Sequence, residues 1–257
     1  MWFTQATFIG VVPLAGRPLA YAALDAERRL LALAQGDLAE VVAFCGGQRQ
    51  AVVAMASPTA PSRGLLQQPA YRDALEAPLR PGRWQQGRVA EFQLRRHNLR
   101  MLPTPADPAR APAWMRMGFR LYNRLRQMGY RPYPAEDSPH QVLETYPYAA
   151  FAALLGRLPF RKNTLEGRIQ RQLLLQEQGL DLPDPLRIFE EFTRHRFLSG
   201  ALPTEGLLAP QELDALVAAW TAWKAAAAPE EVIALGDPAE GQIVLPVAAL
   251  HARYTSR

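Results

Sequence analysis

The chain has a single cysteine, Cys45, only two lysines, and no long uninterrupted run of apolar residues. One cysteine excludes an intramolecular disulfide and a thiolate-rich metal site, and points to a reducing, cytoplasmic setting. No apolar run reaches the ~20 residues that a membrane-spanning helix needs. At the N-terminus no basic residue precedes the apolar stretch, and Pro13 and Gly16 interrupt it, so a secretory signal is not expected. Neither a Walker loop nor a dinucleotide fingerprint occurs. His97, His140, His195 and His251 lie far apart and show no metal-ligand spacing.

What remains is the balance of a globular protein. Of 257 residues, 49% are hydrophobic and 21% charged, enough for one large domain with a substantial core. Lys162 and Lys224 are the only lysines, so 27 of the 29 basic residues are arginine, and the net charge is +5. Arginine forks suit phosphate, but base composition in an Ala- and Arg-rich genome yields the same bias. The charge permits a nucleic-acid partner without requiring one.

Short apolar runs in the opening third predict strands at Thr7–Val12, Leu19–Asp25 and Leu30–Gln35, joined by short turns as an antiparallel meander. Asp37 is placed to cap a helix over Leu38–Cys45, with Leu38, Val41, Val42 and Cys45 on its apolar face. A buried strand, Ala51–Ala56, follows. A right-handed crossover lays it parallel to the first strand, which puts Val12 and Ala56 at the same sheet edge, where sites in open sheets gather.

Residues 57–140 are irregular and proline-rich, with helical pieces predicted at Arg88–His97 and Trp114–Met128. "RMLPTPADPARAP" reads as a surface excursion. In "MGFRLYNRLRQMGYRPY" aromatics alternate with arginines, which suits base stacking, yet Phe119, Tyr122 and Leu125 fall at the spacing of a core stripe. A short strand, Gln141–Glu144, is expected to deliver Glu144 at its end. Helices are predicted over Ala149–Leu155, Leu165–Gln178, Asp184–Ser199 and Gln211–Ala226, and a last strand over Gln242–Pro246.

The stretches "FIGVVPLAGRPLAYAALD", "AVVAMASPTAPSRG", "LETYPYAAFAALLGRLPFRKNTLEGRIQRQLLL", "ELDALVAAWTAW" and "GDPAEGQIVLP" resemble domain-of-unknown-function family 429, regarded as a predicted nuclease family of RNase H-like fold. The resemblance runs from about Phe8 to Pro246 and is most specific around "ETYPY…TLEGR". It implies an α/β protein with an RNase H-like mixed sheet: a three-strand meander, a crossover helix, a parallel fourth strand and helices on both faces. One domain over residues 1–257 is expected, with a proline- and arginine-rich insertion at about 60–140.

The same resemblance implies site residues. The family pattern carries aspartates that fall on Val12 and Ala56, so two expected acids are missing. Its remaining acids match Glu144, with Pro147 completing "E-x-x-P", Asp214 in the "LDAL" helix, and Glu240. Cleavage in this fold needs clustered carboxylates, because Mg²⁺ takes oxygen ligands and paired ions activate water and stabilise the leaving oxygen. Val12 and Ala56 offer no such ligand. The implied reading is a degenerate nuclease relative that binds nucleic acid or a protein partner with little or no hydrolysis. Such a protein needs no cofactor.

Two alternatives stay open. One is an active metal-dependent nuclease using Glu144, Asp214 and Glu240 with Mg²⁺ or Mn²⁺, in which Glu144 and Asp214 are the metal ligands. The other is a structural or regulatory subunit that binds protein through the proline-rich middle. Asp214 suits either a site or the electropositive start of its helix, and Glu240 suits a turn. Arg63, Arg161, Lys162, Arg168 and Arg171 are candidates for phosphate contacts, although a solvated helix face with ion pairs to Glu166 and Glu177 explains the last four more simply.

Overall fold

The computed structural model describes residues 5–16, 18–75 and 82–256. Strands β1 (Thr7–Val12), β2 (Leu19–Leu24) and β3 (Leu30–Gly36) form the meander, helix α1 (Leu38–Gly46) crosses over, and β4 (Ala51–Met55) returns parallel to β1. The Asp37 side chain accepts from Glu40 N–H while Glu40 accepts from Asp37 N–H, a reciprocal cap that fixes where α1 begins. The sheet continues through β6 (His140–Glu144) and β8 (Ile243–Leu245), both parallel to β4, and ends in antiparallel β7 (Ile233–Leu235), with the two-residue β5 (Arg131–Pro132) beside β6. This mixed α/β sheet is consistent with the RNase H-like arrangement.

Both faces of the sheet are covered. Ile9, Val11, Val53 and Met55 pack against α1 and α4 (Ala113–Gln127). Phe8, Val12, Val52 and Leu143 pack against α5 (Pro147–Leu155), α6 (Leu165–Glu177) and α9 (Pro210–Ala227). Central strands buried on both sides need no polar alternation, which is why "TFIGVV" and "AVVAM" read as continuous apolar runs. Phe119 and Leu125 of α4 are buried, so the aromatic–arginine stretch is a packing stripe. Cys45 is fully buried, and that burial pushes its thiol up to about 12, leaving it an inert packing group.

The expected insertion holds two further helices, α2 (Pro69–Ala74) and α3 (Val89–Arg96), as well as α4; its residues 76–81 lie outside the described residues. One expectation changes. The single helix over Asp184–Ser199 is instead two short ones, α7 (Arg187–Glu190) and α8 (Arg194–Leu198). Thr193 adopts an extended conformation and its hydroxyl accepts from Arg196 N–H, so a local side-chain bond starts a new helix rather than continuing the old one. Strand β7, only three residues long, gives no periodic signal in the sequence. Among the described residues no helix is long and apolar enough to cross a membrane.

One contact positions the later helices over the sheet. Gly10, in the middle of β1, faces the α9 backbone: a Cβ there would lie 2.0 Å from the Ala215 carbonyl oxygen and 2.3 Å from the Ala219 nitrogen. Small residues on α9 complete this close approach, which carries Asp214 to the carboxyl end of β1. Gly10→Ala should push α9 off the sheet and destabilise the protein by about 1–3 kcal/mol. The measurement is a denaturant midpoint that falls at unchanged slope.

Candidate functional site

The carboxyl ends of β1, β4 and β6 open into a cleft of about 410 Å³. Val12, Ala56 and Glu144 line it from the strand ends, and Asp214 lines it from α9, so the four positions singled out in the sequence converge. Lys162 and Arg171 stand on the same cleft, as do Trp114, Tyr146 and Tyr148. Pro147 opens α5 two residues after β6 has closed, which turns the chain away and leaves the end of β6 at the cleft. Gly167 does the same service for Lys162: a Cβ on Gly167 would meet the Arg161 carbonyl oxygen at 1.9 Å. The turn before α6 therefore packs directly on its first residues, and Lys162 reaches Asp214.

Glu144 is not a free ligand. It is 2% exposed and faces Arg88, which is fully buried. Arg88 Nη1 donates to Glu144 Oε2 at 2.8 Å and Nη2 donates to Oε1, a two-pronged pairing, while Thr59 N–H donates to Oε2 at 3.1 Å. The other nitrogens are engaged as well: Nε donates to Glu91 Oε1 at 3.1 Å and Nη1 also reaches the Glu240 carbonyl at 3.2 Å. Glu91 accepts in addition from the N–H groups of Arg88 and Thr104 and from the Thr104 hydroxyl. Burial pushes the Glu144 carboxyl upward, and Arg88 is the main force opposing it. Burial likewise opposes the charge on Arg88, but the Glu144 and Glu91 carboxylates together more than offset it and hold the guanidinium above its ordinary value.

Glu240 belongs elsewhere. It is buried but does not line the cleft. Its carboxylate accepts from Arg63 N–H at 2.8 Å, Val89 N–H at 3.1 Å, Leu65 N–H at 3.3 Å and the Ser62 hydroxyl at 3.3 Å. It thus fixes the loop after β4 and receives the first free N–H of α3, the end of a helix that favours an anion.

Among the basic candidates, Lys162 Nζ lies 2.8 Å from Asp214 Oδ2 and is half exposed, whereas Asp214 is buried. Arg171 is 1% exposed; its Nη1 donates to the Gly167 carbonyl at 2.8 Å, its guanidinium lies 5.3 Å from the centre of the Phe151 ring, and its Nε has no partner. Burial draws its pKa downward, against the pull of Asp214. Arg168 is spent on structure, donating to the carbonyls of Leu207 and Leu208. Arg63 and Arg161 are exposed and do not line the cleft.

The donor set does not fit a metal pair. Val12 and Ala56 supply no oxygen, Glu144 is held by Arg88, and Asp214 by Lys162. Among the described residues no three acid, histidine or cysteine side chains are grouped to hold a metal ion. The sequence reading missed Arg88, the residue that determines this outcome. Its only local signal is Glu91 three positions on, the spacing at which an N3 glutamate accepts from the N-cap N–H at a helix start. Arg88→Met should strand two buried carboxylates and cost about 3–5 kcal/mol of stability. In that background Glu144→Gln should recover part of the loss, a coupling that a double-mutant denaturation cycle reads directly.

The family model described as "Protein of unknown function (DUF429)" matches residues 19–240. No curated protein and no solved structure matches the chain. The matched span takes in β2 to β7, the Arg88–Glu144 pair and the cleft's Lys162, Arg171 and Asp214. The chain belongs to the DUF429 family.

Proposed function

We propose that this protein is a nuclease relative that binds nucleic acid at the cleft, without a metal ion and with little or no hydrolysis. The observation that carries this reading is the pairing of two substitutions with one ion pair. On the resemblance drawn from the sequence, Val12 and Ala56 fall where the family pattern has aspartates, Val12 lying ahead of the matched residues 19–240, and Arg88 holds the carboxylate of Glu144. Two negative charges are gone and a third is neutralised, so the cleft suits phosphate better than it suits Mg²⁺. Lys162, Arg171 and three aromatic side chains on one cleft supply the parts that bind an unpaired strand: cations for the backbone and rings for the bases. The active-nuclease reading lacks comparable support, because Glu240 is held away from the cleft by four donors of its own. A cytoplasmic setting agrees with the free, buried thiol of Cys45.

A second reading, a protein partner, is favoured by a different surface. Leu186, Phe189, Phe197, Leu198 and Leu202 are exposed around α7 and α8, an apolar density that marks contact sites.

Fluorescence anisotropy with labelled single-stranded oligonucleotides separates these readings. Nucleic-acid binding at the cleft should weaken steeply with salt, and Lys162→Ala should lower affinity and reduce the salt slope by about one. The same oligonucleotides should survive incubation with Mg²⁺ or Mn²⁺. Metal-dependent cleavage abolished by Glu144→Ala would overturn the proposal, and absence of salt-sensitive binding would leave the protein-partner reading.

A further inference from the structure

Arg171 is a cation without an anion. It lies in the interior, forms no ion pair with any described residue, and leaves Nε without a partner. The neighbouring acid, Asp214, is already bonded to Lys162. A buried charge in that condition costs several kcal/mol unless an opposite charge reaches it. Burial draws its pKa down, in keeping with a guanidinium poorly compensated by the protein itself.

The cleft it lines sets the size and shape of the missing anion. About 410 Å³ falls within the range of small-molecule sites and is far too small for a duplex. The strand ends floor it with Val12 and Ala56, so no carboxylate from β1 or β4 repels a negative group. Leu14, Met101 and Trp114 add apolar surface on which a flat ring can lie. The lining joins Lys162 and Arg171 to apolar and aromatic side chains, with its two acids, Glu144 and Asp214, already bonded to Arg88 and Lys162, and so describes a ligand with one anionic head and one planar body.

We infer that the cleft is a receptor for a terminal phosphate group borne by a nucleoside, with Arg171 and Lys162 taking the phosphate and the aromatic wall taking the base. This rests on the nucleic-acid reading above and narrows it from strand to end. A free nucleotide and the phosphorylated end of a strand present the same chemistry. A phosphomonoester carries more charge than an internal diester and concentrates its oxygens at one point, which suits two cations lining one small cleft.

The test uses the full chain and calorimetric titration with the four nucleoside 5′-monophosphates, the matching nucleosides, and oligonucleotides with 5′-phosphate, 3′-phosphate or hydroxyl ends. At least one phosphorylated probe should bind about tenfold or more tighter than its hydroxyl counterpart, the expected return of charge-assisted bonds at a partly buried site. Preference for free monophosphates identifies the nucleotide as the source, and preference confined to oligonucleotides identifies the strand end. Arg171→Gln should erase the phosphate preference, and Arg171→Lys should restore part of it. Circular dichroism establishes that each variant is folded. Should Arg171→Gln not fold, Lys162→Gln, at a half-exposed position, must still reduce the preference. Equal affinity for phosphorylated and hydroxyl probes, or a preference unchanged in Lys162→Gln, overturns the inference. If hydroxyl-ended strands bind in a salt-sensitive way without that preference, the terminal-phosphate receptor fails while nucleic-acid binding stands; if no probe binds, both fail.

Discussion

The buried pairing of Arg88 with Glu144 is the interaction on which the rest of the site depends. Arg88 enters from the start of α3, in the insertion, and Glu144 stands at the end of β6, in the sheet. Between them they fasten the insertion to the core, and Thr104, bonded to Glu91, and the Glu240 carbonyl extend the network to two more segments. Such a network is stable only when every member is satisfied, since removal of one ion leaves its partners charged in a medium that cannot solvate them. Here each carboxylate oxygen has a donor.

The chemistry of the cleft follows from that arrangement. A carboxylate committed to a guanidinium holds a divalent cation poorly, because the ligand would have to surrender two charge-assisted bonds first. The apolar ends of β1 and β4 act in the same direction. The sheet edge therefore offers a divalent cation little, with Lys162 bonded to Asp214 and Arg171 as the cleft cation that has no ion pair among the described residues. The sheet edge keeps its cleft, while its electrostatics suit an anion.

Much of the fold was legible because its signals are local. The apolar runs of β1 and β4, the Asp37 cap, and Pro210 opening α9 each state an element within a few residues. The convergence of Val12, Ala56, Glu144 and Asp214 followed from the crossover rule and the family resemblance together. What stayed hidden is nonlocal. Arg88 and Glu144 are 56 positions apart, and nothing in "GRVAEF" separates one buried arginine from the exposed ones. Glu240 reads as a turn acid because its four donors come from segments near residues 62 and 89. The break at Thr193 depends on one hydroxyl bond that outweighed helical periodicity.

The central claim is that this edge has exchanged cation binding for anion binding. Titration of the purified protein with Mn²⁺, followed by calorimetry, tests it most directly. The account predicts no stoichiometric uptake, with Asp214→Asn indistinguishable from the unaltered chain. Uptake of one or two equivalents that disappears in Asp214→Asn would contradict it.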